Sequence, residues 1–454
     1  MHFEPFDIKG VLDARRPGPA QIGIYFVCFA IILMDGFDTQ AIGFVAKYIA
    51  EEHQLPIADF GAVFSAGLFG AMIGAFGLGP VADRFGRRRP IAAAILVFAA
   101  ATLTVPLAKN VPELLVLRFL AGLGLGGAIP SVMALASEYA PSKLRGTLAG
   151  LLYAGFPLGG GLGALVTAKL VPETGWRSIF LIGGSVPLLL AVVVLAWVPE
   201  SLRFLSLQPA GREHISRIVN KLWPGTGNVV LAVPPPTELD AATWRRLIDK
   251  GRLRSTVLLW IAFFMCFWML IVLVLWTPSL LYIAGRGPED AAAVAGIINL
   301  GSVFGTAIGG RLAGLRGNRI IVPVLFALGG GVVCGIGIGG LSFSTVCGLA
   351  GGAGFLLGAA SAALLALAVD LYPAEIRATG VGWSMALGRM GQIIGPLVVT
   401  GLLRAGAGIP LVFTLTAIPA VIAALSIGLM VFPARSRDRL AYSKPEHRHE
   451  EENA

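Results

Sequence analysis

The chain is poor in charged residues, in cysteine and in histidine. Charged residues make up 13% of its 454 positions, whereas a soluble domain typically has about 25%. The 4 cysteines fall within apolar runs and lack the spacing of a metal site or a disulfide framework. The sequence contains no HExxH motif, no nucleophile–histidine pair and no cofactor-binding loop. We therefore predict neither a soluble protein nor an enzyme, and we expect no metal and no cofactor.

Hydrophobic residues, in contrast, make up 56% of the chain. Apolar runs of about 20 residues recur along nearly its whole length, and each is long enough to cross a bilayer. We predict an all-α integral membrane protein with twelve transmembrane helices, six on either side of a polar central segment. The predicted spans are 22–44, 60–82, 90–108, 112–137, 147–169, 178–198, 255–284, 290–313, 319–341, 345–369, 377–403 and 409–432.

Lysine and arginine are concentrated on one side of the predicted membrane. Most of the 35 Lys and Arg residues fall in the two tails, in the central segment and in every second loop. All of these segments lie on the same side of the predicted membrane. By the positive-inside rule, both termini are predicted to be cytoplasmic. The first apolar run is too long for a signal-peptide core, so we expect an uncleaved span. The same asymmetry accounts for the net charge of +9, and no nucleic-acid partner is expected.

An internal repeat relates the two halves. Seven positions recur at a constant offset of 232: Glu138 as Asp370, Pro141 as Pro373, Arg145 as Arg377, Thr147 as Thr379, Gly150 as Gly382, Gly159 as Gly391 and Gly163 as Gly395. Two pseudo-symmetric six-helix bundles are typical of an alternating-access transporter, whose substrate site lies near the midplane between them. The alternative is a duplicated membrane scaffold that moves nothing.

The spans and the repeat together predict how the chain is divided. Five parts are expected: an N-terminal cytoplasmic tail at 1–21, a first bundle at 22–199, a cytoplasmic linker at 200–254, a second bundle at 255–433 and a cytoplasmic tail at 434–454. Within the linker we predict two short helices, one from Gly211 and one near Thr237, at the anionic inner surface of the membrane.

Two acids lie inside the first predicted span. Asp35 and Asp38 are about 60° apart on a helix, so both carboxylates are expected on one face. Each acid at the centre of a membrane helix costs roughly 2.5–3.5 kcal/mol, and such residues usually mark a substrate or proton path. We predict that this pair couples transport to protons. A purely architectural ion pair is the alternative.

Two arginines also lie inside spans. Arg118 in span 4 is predicted at the depth of the acids and can meet them if spans 1 and 4 are neighbours. Arg389 lies near the middle of span 11, and no acid lies within the predicted interior of a C-terminal span. A guanidinium of this kind is suited to bind a carboxylate bidentately, so we predict an organic anion as the substrate. Alternatively, Arg389 pairs with an acid of the first half or with carbonyls.

Other side chains on plausible cavity-facing helices could contact such a substrate. With Arg118 and Arg389, the predicted substrate-binding set comprises Phe37, Tyr153, Phe264, Trp268, Trp383 and Gln392. The aromatic rings could stack on a ring of the substrate, although each one taken alone is more often a packing or lipid-facing residue.

Two segments on the basic side suggest a gate. "GPVADRFGRRR" (79–89) and "SEYAPSKLRG" (137–146) place acids and bases at helix ends. We predict a breakable latch that holds one conformation closed, with its ionisable candidates being Asp83, Arg84, Arg87, Glu138, Arg145, Asp370 and Arg377. Ordinary positive-inside anchoring is the alternative, and it explains the arginines better than Asp83.

Several of these segments resemble the motifs of the major facilitator superfamily. They are "GPVADRFGRRR", "RFLAGLGLGG" from Arg118, and "PESLRF" from Pro199. Within the superfamily, "DGFD" at 35–38 resembles the aromatic acid:proton symporters of bacteria, which take up compounds such as 4-hydroxybenzoate, benzoate and protocatechuate. The resemblance implies proton coupling at the two acids and substrate or coupling roles for Arg118 and Arg389. It also implies gating roles for Asp83, Glu138 and Arg145.

The resemblance has two departures. Gly314 stands in the second loop signature where the first has Asp83, and "GFPLGGG" from Gly155 lacks the adjacent Gly-Pro of proton antiporters, which favours uptake over efflux. We therefore expect a monomeric transporter of the bacterial inner membrane whose partners are protons, the bilayer and an aromatic carboxylate. Symport of another organic anion or of a sugar-like metabolite, and a non-transporting chemoreceptor for aromatic acids, stay open as alternatives.

Overall fold

The computed structural model describes residues 12–13, 16–206, 208, 211–222, 252–312, 318–372 and 376–430. These residues are helices joined by short turns, and no strand occurs within them. The first half contains α1 (Pro19–His53), α2 (Phe60–Phe85), α3 (Arg88–Thr104), α4 (Val111–Glu138), α5 (Arg145–Thr174), α6 (Arg177–Trp197), α7 (Leu202–Ser206) and α8 (Gly211–Leu222). The second contains α9 (Leu253–Ile283), α10 (Pro288–Leu312), α11 (Asn318–Ile336), α12 (Phe343–Leu371), α13 (Arg377–Arg404) and α14 (Ile409–Gly428).

The predicted spans each correspond to one helix. Within the described residues, 11 helices are long and apolar enough to cross a membrane, and the shorter apolar helix Ile320–Ile336 takes the place of the ninth span. The fold class is confirmed. Helix α8 confirms the short helix expected from Gly211, whereas the helix expected near Thr237 and the C-terminal tail lie outside the described residues.

Local signals set several helix ends. The side chain of Asn110 accepts the backbone N–H of Glu113 and so caps α4. Gly86 and Gly175 follow α2 and α5 with φ of +86° and +79°, a region that favours glycine. Helix α1 continues to His53, beyond the predicted span end at 44. Its last turns alternate buried apolar residues such as Val45 and Ile49 with charged ones such as Glu51, so the mean hydropathy falls while the helix continues.

The repeat is visible in the helices themselves. Helices α4, α5 and α6 begin at Val111, Arg145 and Arg177, and α12, α13 and α14 each begin 232 positions later. The Nε of Arg145 donates to the Ala140 carbonyl at 3.1 Å, and the Nε of Arg377 donates to the Tyr372 carbonyl at 3.3 Å. The two halves therefore repeat a specific hydrogen bond as well as a helix order.

Repeated glycines let the helices cross at backbone contact. A Cβ at Gly159 of α5 would overlap the carbonyl oxygen of Leu33 in α1, and a Cβ at Gly391 of α13 would overlap that of Phe264 in α9. Small residues permit such close approach in membrane bundles. This crossing holds α1 against α5 and α9 against α13, and so fixes the helices that carry the ionisable residues.

The start of α1 is tied to the end of α4. Gln21 and Tyr25 both donate to the Tyr139 carbonyl, at 2.8 and 2.7 Å. Ahead of the helix, Asp13 accepts the backbone N–H of Ser142, and this hydrogen bond lowers the pKa of the Asp13 carboxyl. We call this end of the molecule, which contains Arg87–Arg89, the basic end.

The bundles meet toward the opposite end, which we call the closed end. Arg404 of α13 pairs with Asp59 at 2.6 Å, and Thr400 donates to the Ala58 carbonyl at 2.9 Å. Deeper in, the amides of Gln40 (α1) and Asn299 (α10) donate to each other's oxygens at 3.2 and 2.7 Å. All of these bonds join the first half to the second, so they seal the space between the bundles on this side.

Toward the basic end the bundles diverge. A Cβ at Gly150 or at Gly382, a pair related by the repeat, would find no other atom within 4 Å. The side chains of Leu151 and Tyr153 on α5 are exposed. The space between the bundles therefore opens at the basic end and is closed at the other.

Candidate functional site

A buried ion pair lies at the centre of the first bundle. The Nη1 of Arg118 donates to the Oδ2 of Asp38 at 3.1 Å, and the two side chains are 4% and 3% exposed. Helices α1 and α4 are neighbours, as the depth argument requires, so the predicted approach of Arg118 to the acids is confirmed for Asp38. At this burial the pair offsets two charges that would each be costly alone.

Two residues that the sequence did not indicate surround this pair. The hydroxyl of Thr102 on α3 donates to the Oδ1 of Asp38 at 3.1 Å and accepts from the Nη2 of Arg118 at 3.5 Å. The ring of Phe180 on α6 lies 5.2 Å from the Arg118 guanidinium carbon. Threonine and phenylalanine are both common in apolar runs. The rotation of α3 and α6, which the sequence does not give, brings Thr102 and Phe180 to the ion pair.

Asp35 has a different environment from Asp38. It accepts one hydrogen bond, from the hydroxyl of Thr39 at 3.3 Å, and has no ion-pair partner among the described residues. Both acids and Arg118 line a cavity of about 40 Å³ between α1, α2 and α4, into which Leu275 of α9 also projects. A cavity of this size that offers several polar side chains has room for a small cluster of water molecules. The cavity thus lies against both carboxylates.

Arg389 faces the first bundle from the second. It shares one side of α13 with Ile393 and Thr400, which bond to Ser65 and Ala58 across the interface. Its guanidinium is near enough to act electrostatically on Asp35 and on Tyr153, yet no described residue forms an ion pair with it. A partly exposed arginine in this position presents free donors to the open space between the bundles.

Three aromatic residues lie around the same space. Tyr153 shares a face of α5 with Ala164, which contacts Gly296 of the second bundle, and it is 47% exposed at the open side. On α9, Phe264 and Trp268 stack edge to face at 5.9 Å, on the face that carries Leu275. These rings come from both bundles, and Arg389 acts electrostatically on one of them, Tyr153.

Three other predicted substrate contacts are placed less favourably. Phe37 is 2% exposed and packs between Gly163 and Gly183 inside the first bundle, so it does not face the open space. Trp383 lies on the exposed stripe of α13 that also carries Met390, on a different side from Arg389, and its ring packs on Trp260. Gln392 is half-buried, one turn from Arg389, without a hydrogen bond in the described structure.

Two of the predicted latch candidates form an ion pair with each other, and a third does not join them. Glu138 bonds to Arg87 at 2.6 Å and accepts from the hydroxyl of Ser201, whereas Arg145 is held by the Ala140 carbonyl. The reason is physical, since carbonyls at a helix end lack partners and an arginine can satisfy them. Arg145 therefore does not pair with Glu138.

The other gating candidates have no described ion pair. Arg84, Asp370 and Arg377 are exposed, and the side chain of Asp83 lies outside what the structure describes. A residue that sequence reasoning passed over is Glu200, whose Oε1 accepts the backbone N–H groups of Arg87 and Arg88 at 2.6 and 3.1 Å. The segment "PESLRF" contained this signal.

Comparison with known proteins gives a consistent result. The family model for the Major Facilitator Superfamily matches residues 28–353. A gallate transporter of Pseudomonas putida is 37% identical over 93% of this chain and 94% of its own. The 4-hydroxybenzoate transporter PcaK of the same species is 35% identical over 93% of this chain and 95% of its own.

A solved structure supports the fold. It is a bacterial homologue of the human lysosomal transporter Spinster in an inward-facing and occupied conformation. The TM-score is 0.73, with 18% identity over 91% of this chain and 97% of that chain. At this identity the likeness concerns the arrangement of the helices alone.

Proposed function

Because the chain belongs to the Major Facilitator Superfamily and is a membrane transporter rather than an enzyme, we propose that it takes up an aromatic carboxylate together with protons. The observation that carries the proposal is the difference between the two intramembrane arginines. Arg118 is neutralised by Asp38, whereas Arg389 has no described counter-ion and faces the open space.

The carboxylate of the substrate binds Arg389. A guanidinium can hold a carboxylate by two parallel N–H···O bonds, which fixes its orientation as well as its position. The ring of the substrate then lies between Tyr153 from the first bundle and Phe264 and Trp268 from the second. Apolar side chains and a few placed polar groups are the usual composition of a small-molecule site. Arg118 is not a direct ligand in this arrangement, because it is buried in the first bundle and Asp38 neutralises its charge.

The proton binds at the acids of α1. Asp35 has one hydrogen bond and no described cation at ion-pair distance, so a proton there removes a poorly compensated charge. Water in the cavity that both acids line can pass the proton between Asp35 and Asp38. Protonation of Asp38 weakens its bond to Arg118 and frees the first bundle to change its arrangement.

Binding of the carboxylate and of the proton together shifts the equilibrium between two conformations. The closed end faces the outside of the cell and the basic end faces the cytoplasm, in line with the positive-inside rule. The described arrangement is then open to the inside, ready to release its cargo. A ligand shifts such an equilibrium only through different affinities for the two states, and the charges on Arg389 and the α1 acids supply that difference. One chain contains both bundles, and we propose that it acts as a monomer in the inner membrane.

The names of the similar transporters support the proposed substrate class. Gallate and 4-hydroxybenzoate, which appear in the names of the two similar transporters, are both aromatic carboxylates. Both match a site with one free guanidinium and three aromatic rings. A sugar would leave Arg389 without a counter-charge, which disfavours the sugar-like alternative.

The test is uptake of labelled 4-hydroxybenzoate into proteoliposomes with an acidic exterior. We expect accumulation against the concentration gradient that stops when a protonophore is added. Unlabelled gallate and benzoate should compete, whereas an aliphatic carboxylate and a hexose should not. Saturable binding without any flux would support the chemoreceptor alternative, and competition by a hexose alone would contradict the anion site.

A further inference from the structure

Helix α3 contributes a side chain to the proton site, an inference that rests on the proposed function. We propose that Thr102 is a positioning residue for proton coupling, whose hydroxyl holds the carboxylate of Asp38 against Arg118 and so sets the pH range of transport.

Three side chains form a closed ring of hydrogen bonds. The hydroxyl of Thr102 donates to the Oδ1 of Asp38 at 3.1 Å, and the Nη1 of Arg118 donates to the Oδ2 of the same carboxylate at 3.1 Å. The Nη2 of Arg118 completes the ring on the Thr102 oxygen at 3.5 Å. A hydroxyl has one proton to donate and lone pairs to accept. Thr102 is therefore bonded to the acid and to the base at the same time.

The ring is sealed from solvent on the side of α6. Asp38, Thr102 and Arg118 are 2%, 0% and 4% exposed. Phe180 covers the guanidinium, and the α6 backbone at Gly183 lies so close that a Cβ there would be 3.5 Å from Thr102 and 3.7 Å from Asp38. Hydrogen bonds to an ionised group are roughly twice as strong as neutral ones, and a low dielectric strengthens them further.

Few other charged groups act on the carboxylate of Asp38. Among the described residues, the charged side chains that face Asp38 are Arg118 from α4 and Asp35 from the same helix. Arg389 from α13 acts on Asp35. The contacts from α3 and α6 are uncharged. If Thr102 lost its hydroxyl, the Oδ1 of Asp38 would therefore lose its described donor while Arg118 kept its hold on Oδ2.

The hydroxyl also fits both protonation states of the acid. It donates to the carboxylate in the described state. When the carboxyl takes up a proton, the threonine O–H can rotate away and its oxygen can accept the new O–H. A side chain that can only donate a hydrogen bond, or that can neither donate nor accept one, would favour one protonation state of Asp38 over the other.

The experiment compares the pH dependence of 4-hydroxybenzoate uptake in proteoliposomes for variants that keep or remove the hydroxyl. Thr102→Val and Thr102→Ala remove it, and two variants are used so that poor folding of one does not decide the result. Thr102→Ser retains it. Thr167→Val is the matched control, because Thr167 is 3% exposed in the same bundle and its hydroxyl has no hydrogen bond in the described structure.

We expect the external pH for half-maximal uptake to rise by about one unit or more in the hydroxyl-free variants, because an unsupported carboxylate binds a proton more readily. Thr102→Ser and Thr167→Val should keep the wild-type profile. An unchanged profile in the hydroxyl-free variants, or an equal shift in Thr167→Val, would overturn the positioning role. Wild-type protein without any uptake driven by the pH gradient would instead refute the proposed function itself.

Discussion

In the first bundle α5 crosses α1 at Gly159, and in the second α13 crosses α9 at Gly391, with each glycine against a backbone carbonyl of its partner. Arg145 and Arg377 make the same hydrogen bond at the start of those two helices. The ionisable residues of the membrane interior do not follow this symmetry. Position 350, which corresponds to Arg118 at the offset of 232, is alanine.

The other positions differ in the same way. Position 157, which corresponds to Arg389, is proline, and α9 has no acid along its length, although it corresponds to α1. The repeat therefore preserves the contacts by which the helices pack, while the charged chemistry differs between the halves. This division fits the proposed function, in which the proton binds one bundle and the anion binds the other.

The largest expected effect comes from removing the charge of Asp35. In Asp35→Asn, accumulation of labelled substrate under a pH gradient should fall to the level of protein-free liposomes, because the side chain can no longer gain and lose a proton. Exchange of labelled for unlabelled substrate should continue, since exchange does not require the empty carrier to release a proton. A counterflow assay in proteoliposomes measures this exchange.

Asn299→Asp is not a suitable control for that variant, because it would break the amide pair with Gln40. Glu173→Gln is better matched, since Glu173 is an exposed acid at the end of α5 without a described ion pair. Full accumulation by Asp35→Asn would show that Asp35 is not an obligatory proton carrier.

A smaller and symmetric effect is expected at the repeated glycines. Gly159→Ala and Gly391→Ala each place a methyl group against a backbone carbonyl, and overpacking of this kind typically costs about 1–3 kcal/mol. Both variants should unfold at lower temperature in detergent, and by similar amounts. A thermal-unfolding assay on purified protein gives the measurement.

Gly150→Ala and Gly382→Ala are the controls for this comparison. They are also related by the repeat, but a Cβ at either position meets nothing within 4 Å. Their unfolding temperatures should equal or exceed that of the wild type, because alanine favours the helix over glycine. A loss of stability confined to one bundle would contradict the view that the scaffold is shared.

Much of the fold could be predicted from the sequence, because a membrane requires long apolar helices and limits the number of arrangements. The position of Arg118 could also be predicted, since rise per residue alone determines depth along a helix. Phe37 could not be placed, because contact depends on rotation as well as depth. At 100° per residue it turns away from Asp38 and into the packing against Gly163.

Contacts between distant polar residues were the part that the sequence left undetermined. Thr102 and Asn299 are uncharged polar residues in apolar runs, and nothing in their neighbourhood indicates a partner. Their roles depend on which helices are adjacent in space. The partner of Glu138 was undetermined for a similar reason: the acid pairs with Arg87, whereas the end of α4 engages Arg145.

Separate sites for the proton and the anion are the central claim, and the most direct test is substrate affinity in two variants. Isothermal titration of 4-hydroxybenzoate into purified protein would compare Arg389→Gln with Asp35→Asn. We expect Arg389→Gln to weaken binding roughly 10- to 150-fold, the loss of a hydrogen-bonded charge, and Asp35→Asn to bind at least as tightly as the wild type. Normal binding by Arg389→Gln, or an equal loss in Asp35→Asn, would contradict the claim.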